Sequence, residues 1–205
     1  MQVIRTYAQI IIFFFSGCLS VSAQDTDFIA VPLDPELIES GENKNFYKYD
    51  LGSYNLFIGR RENNLRFKIQ NKNTNQIDYA NKNSNSDAMI RIPKFFINQD
   101  HSIIVILMEE AAEYSWGQEV ILILDGTIKN LGYLSYAVIG EEYEESIADY
   151  SIIRGNKEKM ILSFENVKII DYSNDDAIIN GEDLKFELSL EGIKKINWDR
   201  LQRIE

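Results

Sequence analysis

Carboxylates are the side chains of this sequence that could do chemistry, and they come in groups. Glu109, Glu110 and Glu113 form one, Glu141, Glu142, Glu144 and Glu145 a second, and Asp171, Asp175 and Asp176 a third. Like charges held close raise one another's pKa unless a cation relieves the repulsion, so such groups suit a calcium ion or a basic partner. Two carboxylates about 5–10 Å apart could also hydrolyse a glycosidic bond. In so acidic a chain the mere presence of a pair says little. Exposed aromatic rings bind sugar faces, and Trp116 with Tyr114, or Tyr143 with Tyr150, could supply such a platform beside the acids.

One acidic stretch has ligand-like spacing. Asp171, Ser173, Asp175 and Glu182 occupy positions 1, 3, 5 and 12 of an EF-hand-like loop, with Ile178 at the apolar position 8. Position 6, where the sharp turn needs Gly, is Asp176, and the flanks read as strands. Asn71–Asn75 and Asn81–Asn85 form a short repeat whose side-chain carbonyls are neutral and bind calcium weakly. A solvated polar loop is its simpler reading.

Other chemistries lack their residues. Cys18 is the single cysteine and His101 the single histidine. A multi-His metal site is excluded, and a Ser-His-Asp arrangement could draw only on His101, which sits in the turn-like Asn98-Gln99-Asp100-His101-Ser102.

Strands must position these groups. Leu65–Gln70 and Leu184–Leu190 alternate apolar and polar residues, while Ile103–Met108 and Val120–Leu124 are continuously apolar and read as central strands covered on both faces. Asp125-Gly126 and Asn180-Gly181 are dipeptides that suit tight type I′ hairpins. The expectation is an all-β, mainly antiparallel meander of about ten strands, forming a sandwich or a partly closed barrel. Short helical pieces are expected near residues 34–40, from Asp34-Pro35 to a closing Gly41, and near 193–204, where Ile193, Ile196, Leu201 and Ile204 share a face.

If consecutive strands are antiparallel neighbours, Glu109 to Trp116, Glu141 to Glu145 and Asp171 to Asp176 form loops at one end. Arg154, Lys157 and Lys159 then turn at the other. Traced backward, the Asn-rich loop falls at the acidic end and Arg60-Arg61 at the basic one.

The N-terminal segment sets an address. Arg5, the apolar run Ile10–Phe15 and Val21-Ser22-Ala23 read as a cleavable secretory signal over residues 1–23. Gln9 and the residues Ser16, Gly17, Ser20 and Ser22 make the run a poor membrane anchor. Phe15-Ser16-Gly17-Cys18 resembles the bacterial lipobox, which would lipidate Cys18; Phe15 departs from it, because an aliphatic residue is expected there. Residues 24–192 then form one β-rich domain, 193–205 a short helix or tail, and the exported protein is periplasmic or secreted, or tethered through Cys18.

Without residues 1–23 the chain keeps 20 cations against 32 carboxylates, a net charge of −12. That opposes nucleic acid and anionic membrane surfaces. It also leaves no thiol, so packing alone must hold the domain. The sequence reads as an exported, non-catalytic binding or interaction module with an acidic, aromatic-bearing end, its partner a basic protein or a glycan. The alternatives are a carboxylate-based hydrolase of envelope or extracellular glycans and an inhibitor or immunity-type protein masking a basic partner.

Overall fold

The computed structural model describes residues 26–41, 44–61, 64–81, 90–111 and 115–196. The architecture is all-β and antiparallel, as expected, and among the described residues no sheet closes on itself. Strands are numbered in chain order.

A central sheet is ordered β11 (Thr127–Leu134), β10 (Ser115–Leu124), β9 (Ile103–Ala111), β8 (Ile90–Ile97) and β2 (Ile29–Val31). Every residue of β9 is buried. Alternation explains why the run can be apolar throughout: Ile103, Val105 and Leu107 enter one core, while Ile104, Ile106 and Met108 enter another. β10 divides in the same way, with Val120, Leu122 and Leu124 on one side and Ile121 and Ile123 on the other.

The second core is closed by a sheet running in sequence order through β3 (Glu36–Gly41), β4 (Lys44–Asp50), β5 (Tyr54–Arg61), β6 (Asn64–Asn71) and β7 (Ile77–Asn81). It offers Leu56, Ile58, Phe67 and Ile69 to the central sheet. Two sheets close the first core. One is ordered β1 (Thr26–Asp27), β14 (Ser151–Gly155), β15 (Met160–Phe164), β18 (Lys185–Ser189) and β19 (Gly192–Lys195). The other is ordered β13 (Glu144–Glu145), β12 (Tyr136–Ile139), β16 (Lys168–Asp171) and β17 (Ala177–Asn180). The layers form a β sandwich with the β9 sheet in the middle.

Strands outnumber the expectation because runs break. The run 128–139 splits at Ser135 into β11 and β12, and the run 161–170 splits into β15 and β16, which join different sheets. The Asn-rich segment hides a strand: β7 pairs with β6, Ile69 opposite Tyr79. That one unrecognised strand reverses the tracing before it. Asn71 and Asn73 line a cavity beside Asp125 and Gly126, so the Asn71–Asn75 turn lies at the end opposite Glu109, while residues 82–85 lie outside the described residues. The Arg60-Arg61 end of β5 points the other way, toward the acidic end.

Three local expectations are corrected. The piece near 34–40 is no helix. Asp34-Pro35 is an irregular connection and Glu36–Gly41 is strand β3, paired with β4 and tied by an ion pair of 2.7 Å from Lys48 to Glu36. So short a helix cannot repay its nucleation, whereas β4 offers ready-made backbone partners. Near 193–204, Ile193 lies in β19 opposite Leu188; residues 197–205 lie outside the described residues. Asn180-Gly181 is not a hairpin. Its Asn180 side chain caps a 3₁₀ turn, Gly181–Asp183, by accepting from the Glu182 amide, because β17 and β18 belong to different sheets. Asp125-Gly126 does form the expected turn, with φ of 46° and 83°.

Candidate functional site

Glu109 and Glu110 are adjacent on β9, so alternation sends them to opposite faces of the central sheet. They do not belong to a loop, as the sequence suggested. β9 continues through Ala111 and β10 begins at Ser115, and both glutamates are buried. Continued pairing keeps them in the strand: Arg91 stands opposite Glu110, and Gln118 opposite Glu109.

On the face toward β3–β7, Glu110 accepts a hydrogen bond from Arg91, whose side chain is fully buried. Arg91 Nη1 also lies 3.9 Å from Glu119. Its guanidinium sits 5.4 Å from the Phe67 ring centroid. Asn130 donates to Glu119 and, at 3.1 Å, to the Tyr79 hydroxyl. Partial burial, with Tyr133 still 42% exposed, and repulsion from Glu110 raise its phenol above the ordinary range. These two carboxylates therefore flank one buried cation inside a core.

On the opposite face, Glu109 meets polar groups but no cation of this kind. Burial raises its carboxyl above the ordinary value. The Ser115 and Ser146 hydroxyls oppose the rise, and Asp149 adds repulsion. Gln118, fully buried, donates to the Ser146 hydroxyl at 3.4 Å, while its Oε1 holds no hydrogen-bond partner among the described residues. Ser146 and Asp149 arrive on the 3₁₀ turn Ile147–Tyr150 and its cap, anchored by buried Ile147 and Ala148. Glu109, Ser146, Ala148 and Asp149 line a groove of about 400 Å³ with Val31 and Phe95. At its mouth, Lys94 pairs with Asp149 at 2.5 Å.

The second acidic group adjoins this groove. Glu141, Glu142 and Tyr143 are exposed, and Glu144 and Glu145 form β13 against Val138 and Ile139. Among the described residues no ion pair includes Glu141, Glu142, Glu144 or Glu145. The Tyr150 hydroxyl donates to Glu145, which raises the Tyr150 pKa. Tyr143 is 61% exposed and makes the aromatic component of this loop. Glu113 lies outside the described residues, and Trp116 is placed by its backbone at the start of β10.

The third group reaches the same end, since the Tyr172 hydroxyl donates to the Ser115 carbonyl at 3.2 Å. Along β12, however, Asp171 pairs opposite Tyr136 and Glu144 opposite Ile139, about 10 Å apart at strand rise. Asp171 is buried, accepts from the Ser173 amide and hydroxyl at 3.1 and 2.5 Å, and faces Lys195 at 3.5 Å. Asp175 and Asp176 turn the chain with φ of 50° and 54°. Glu182 lies beyond the far end of the β16–β17 ladder, where Lys168 pairs with Asn180. The structure thus brings Asp171, Ser173 and Asp175 into one turn and leaves Glu182 apart. Among the described residues no group of three His, Cys, Asp or Glu side chains is arranged to hold a metal ion.

The opposite end is mixed in charge rather than basic. Lys72 pairs with Asp50 at 2.5 Å, Lys157 with Asp125 at 2.6 Å and Arg154 with Asp27 at 3.2 Å. A cavity of about 580 Å³ opens there, walled by Leu51, Tyr54 and Ile123. His101 stands exposed at its rim in a turn with φ of 59°.

Sequence reading missed Arg91, Gln118, Glu119, Ser146 and Asp149. Ile90-Arg91-Ile92 reads as a strand with Arg facing water, and only the stacked β3–β7 sheet turns that face inward.

No family model matches the chain, and comparison with curated proteins and with solved structures finds no match. Among the described residues no helix is long and apolar enough to cross a membrane.

Proposed function

We propose that this chain is an exported, non-catalytic binding module that captures a cationic partner through the end of the molecule bearing Glu109, Glu141, Glu142, Glu144 and Glu145. One observation carries the reading. Four glutamates and an exposed tyrosine sit in one short segment that no cation of the described residues neutralises, next to a groove with a buried carboxylate. Unrelieved negative potential of this kind speeds and orients association with a basic surface. Export rests on residues 1–23, and release or tethering turns on Cys18. The intact mass of the mature protein separates the two, since cleavage before Gln24 removes Cys18 and lipidation retains it with added acyl mass.

The test is capture of partners from the envelope fraction by the wild-type protein and by a variant with Glu141, Glu142, Glu144 and Glu145 changed to Gln. The variant is expected to lose the basic partner. Equal retention by both proteins would remove the acidic segment from the binding surface.

A second reading, a carboxylate-based hydrolase of glycans, has one observation in its favour. Glu109 and Asp149 line the same groove, the first buried with a raised pKa and the second exposed. Divergent environments of this sort divide acid from base roles in hydrolases. Against it, Lys94 already occupies the Asp149 carboxylate. Release of reducing sugar from envelope glycans, abolished by Glu109→Gln, would favour it over simple binding.

A further inference from the structure

The groove at Glu109 carries a more specific assignment, which rests on and deepens the binding reading. We infer that it is a subsite for a primary alkylammonium group, such as the side chain of a lysine presented by a basic partner.

Three observations converge. Glu109 is 9% exposed, yet it lines an open groove, and the cation in that groove, Lys94, is engaged by Asp149. Behind it, Gln118 is fully buried with Oε1 unpartnered, and its amide nitrogen reaches Ser146, which lines the same groove. A buried acceptor without a donor is costly, so a donor that reaches it past Ser146 would recover that loss. The walls then set the shape of the ligand. Ile92, paired directly opposite Glu109, is 53% exposed and lines the groove with Pro32, so an apolar surface suited to a methylene stem lies beside the carboxylate. An ammonium offers three hydrogen-bond donors and no acceptor, which matches the Glu109 carboxylate and the Ser146 hydroxyl that line the groove. Lys94 shows the complementarity at the mouth, where its own ammonium pairs with Asp149 at 2.5 Å and leaves Glu109 to a visitor. A carboxylate or phosphate ligand would meet Glu109 and Asp149 and be repelled.

The test compares Nα-acetyl-lysine methylamide with its norleucine counterpart, which has a similar stem without the ammonium, by amide NMR titration of the full mature protein. The lysine derivative is expected to move the amide signals of Gln118, Ser146 and Ala148 saturably. The norleucine derivative, and the lysine derivative on Glu109→Gln, are expected to bind at least about tenfold more weakly, as loss of a charged hydrogen bond implies. Equal response to both ligands would reduce the groove to an apolar slot and overturn the inference, as would absence of a saturable shift or full binding by Glu109→Gln. Because the ligand pair tests charge on unmodified protein, the comparison holds even if the variant folds poorly. Partner capture that depends on residues 141–145 without any lysine response sinks the groove alone. A lysine response with capture indifferent to those residues sinks the acidic segment alone.

Discussion

At the residue scale, the position of a charge relative to the layers decides its role. Arg91, Glu110 and Glu119 are a buried group whose cation is held from both sides. Removing one member of such a group strands the others, whereas replacing the whole set with apolar side chains is close to neutral. Arg91→Met is therefore expected to lower unfolding free energy by about 3–5 kcal/mol in urea titration, and the triple variant with Glu110→Met and Glu119→Met to recover most of it. A triple variant no better than the single one would show that the charges are net stabilising. Glu109 behaves differently because its folded-state pKa is raised. The folded protein then binds the proton more readily than the unfolded chain, so this group adds stability as pH falls. The unfolding free energy of wild type relative to Glu109→Gln is expected to increase as pH drops from the raised folded value toward the ordinary 4.5, and to level off below it. A difference that moves the opposite way would mean that the carboxylate is held ionised in the fold.

At the scale of elements, short strands depend on turns that only certain residues can make. Gly126 has φ of 83° and a Cβ there would meet only the Tyr54 hydroxyl, at an ordinary 3.7 Å, whereas Gly155 has φ of 123° and a Cβ there would run into the Lys159 carbonyl. Gly126→Ala is expected to cost about 1–2 kcal/mol, the left-handed penalty alone. Gly155→Ala should cost clearly more, because β14 and β15 must separate at the Gly155–Met160 pairing to admit the methyl group. Comparable thermal melts for the two variants would contradict this steric account. The β14–β15 hairpin also shows what sequence can convey. Residues Arg154 to Lys159 were legible as a connecting loop from their polarity, but not the clash that makes Gly155 necessary, since that needs the register of the partner strand.

At the scale of the whole molecule, β9 and β10 feed both cores and so must remain paired for either core to persist. Amides of Val105–Leu107 and Val120–Leu122 are expected to exchange with solvent most slowly, at the free energy of global unfolding, while those of β13 and β17 exchange through local opening. Faster exchange in β9 than in β5 or β15 would show that the layers open separately.

The sequence by itself determined the β class, the two-sided burial of Ile103–Met108 and Val120–Leu124, the Asp125-Gly126 turn and the restriction to one cysteine and one histidine. Each follows from local periodicity, turn chemistry or composition. It also indicated that acidic segments would gather at one end, and Glu141 to Glu145 do lie beside Glu109. The tertiary structure decided the rest. A strand hidden among asparagines reversed the first half of the tracing, because direction inverts with every added strand. Stacking a sheet on each side of β9 turned Glu109 and Glu110 from loop residues into buried groups with unlike surroundings. Pairing across strands gave Glu110 an arginine and Glu109 only hydroxyls and an amide, and no local pattern in the sequence encodes that difference.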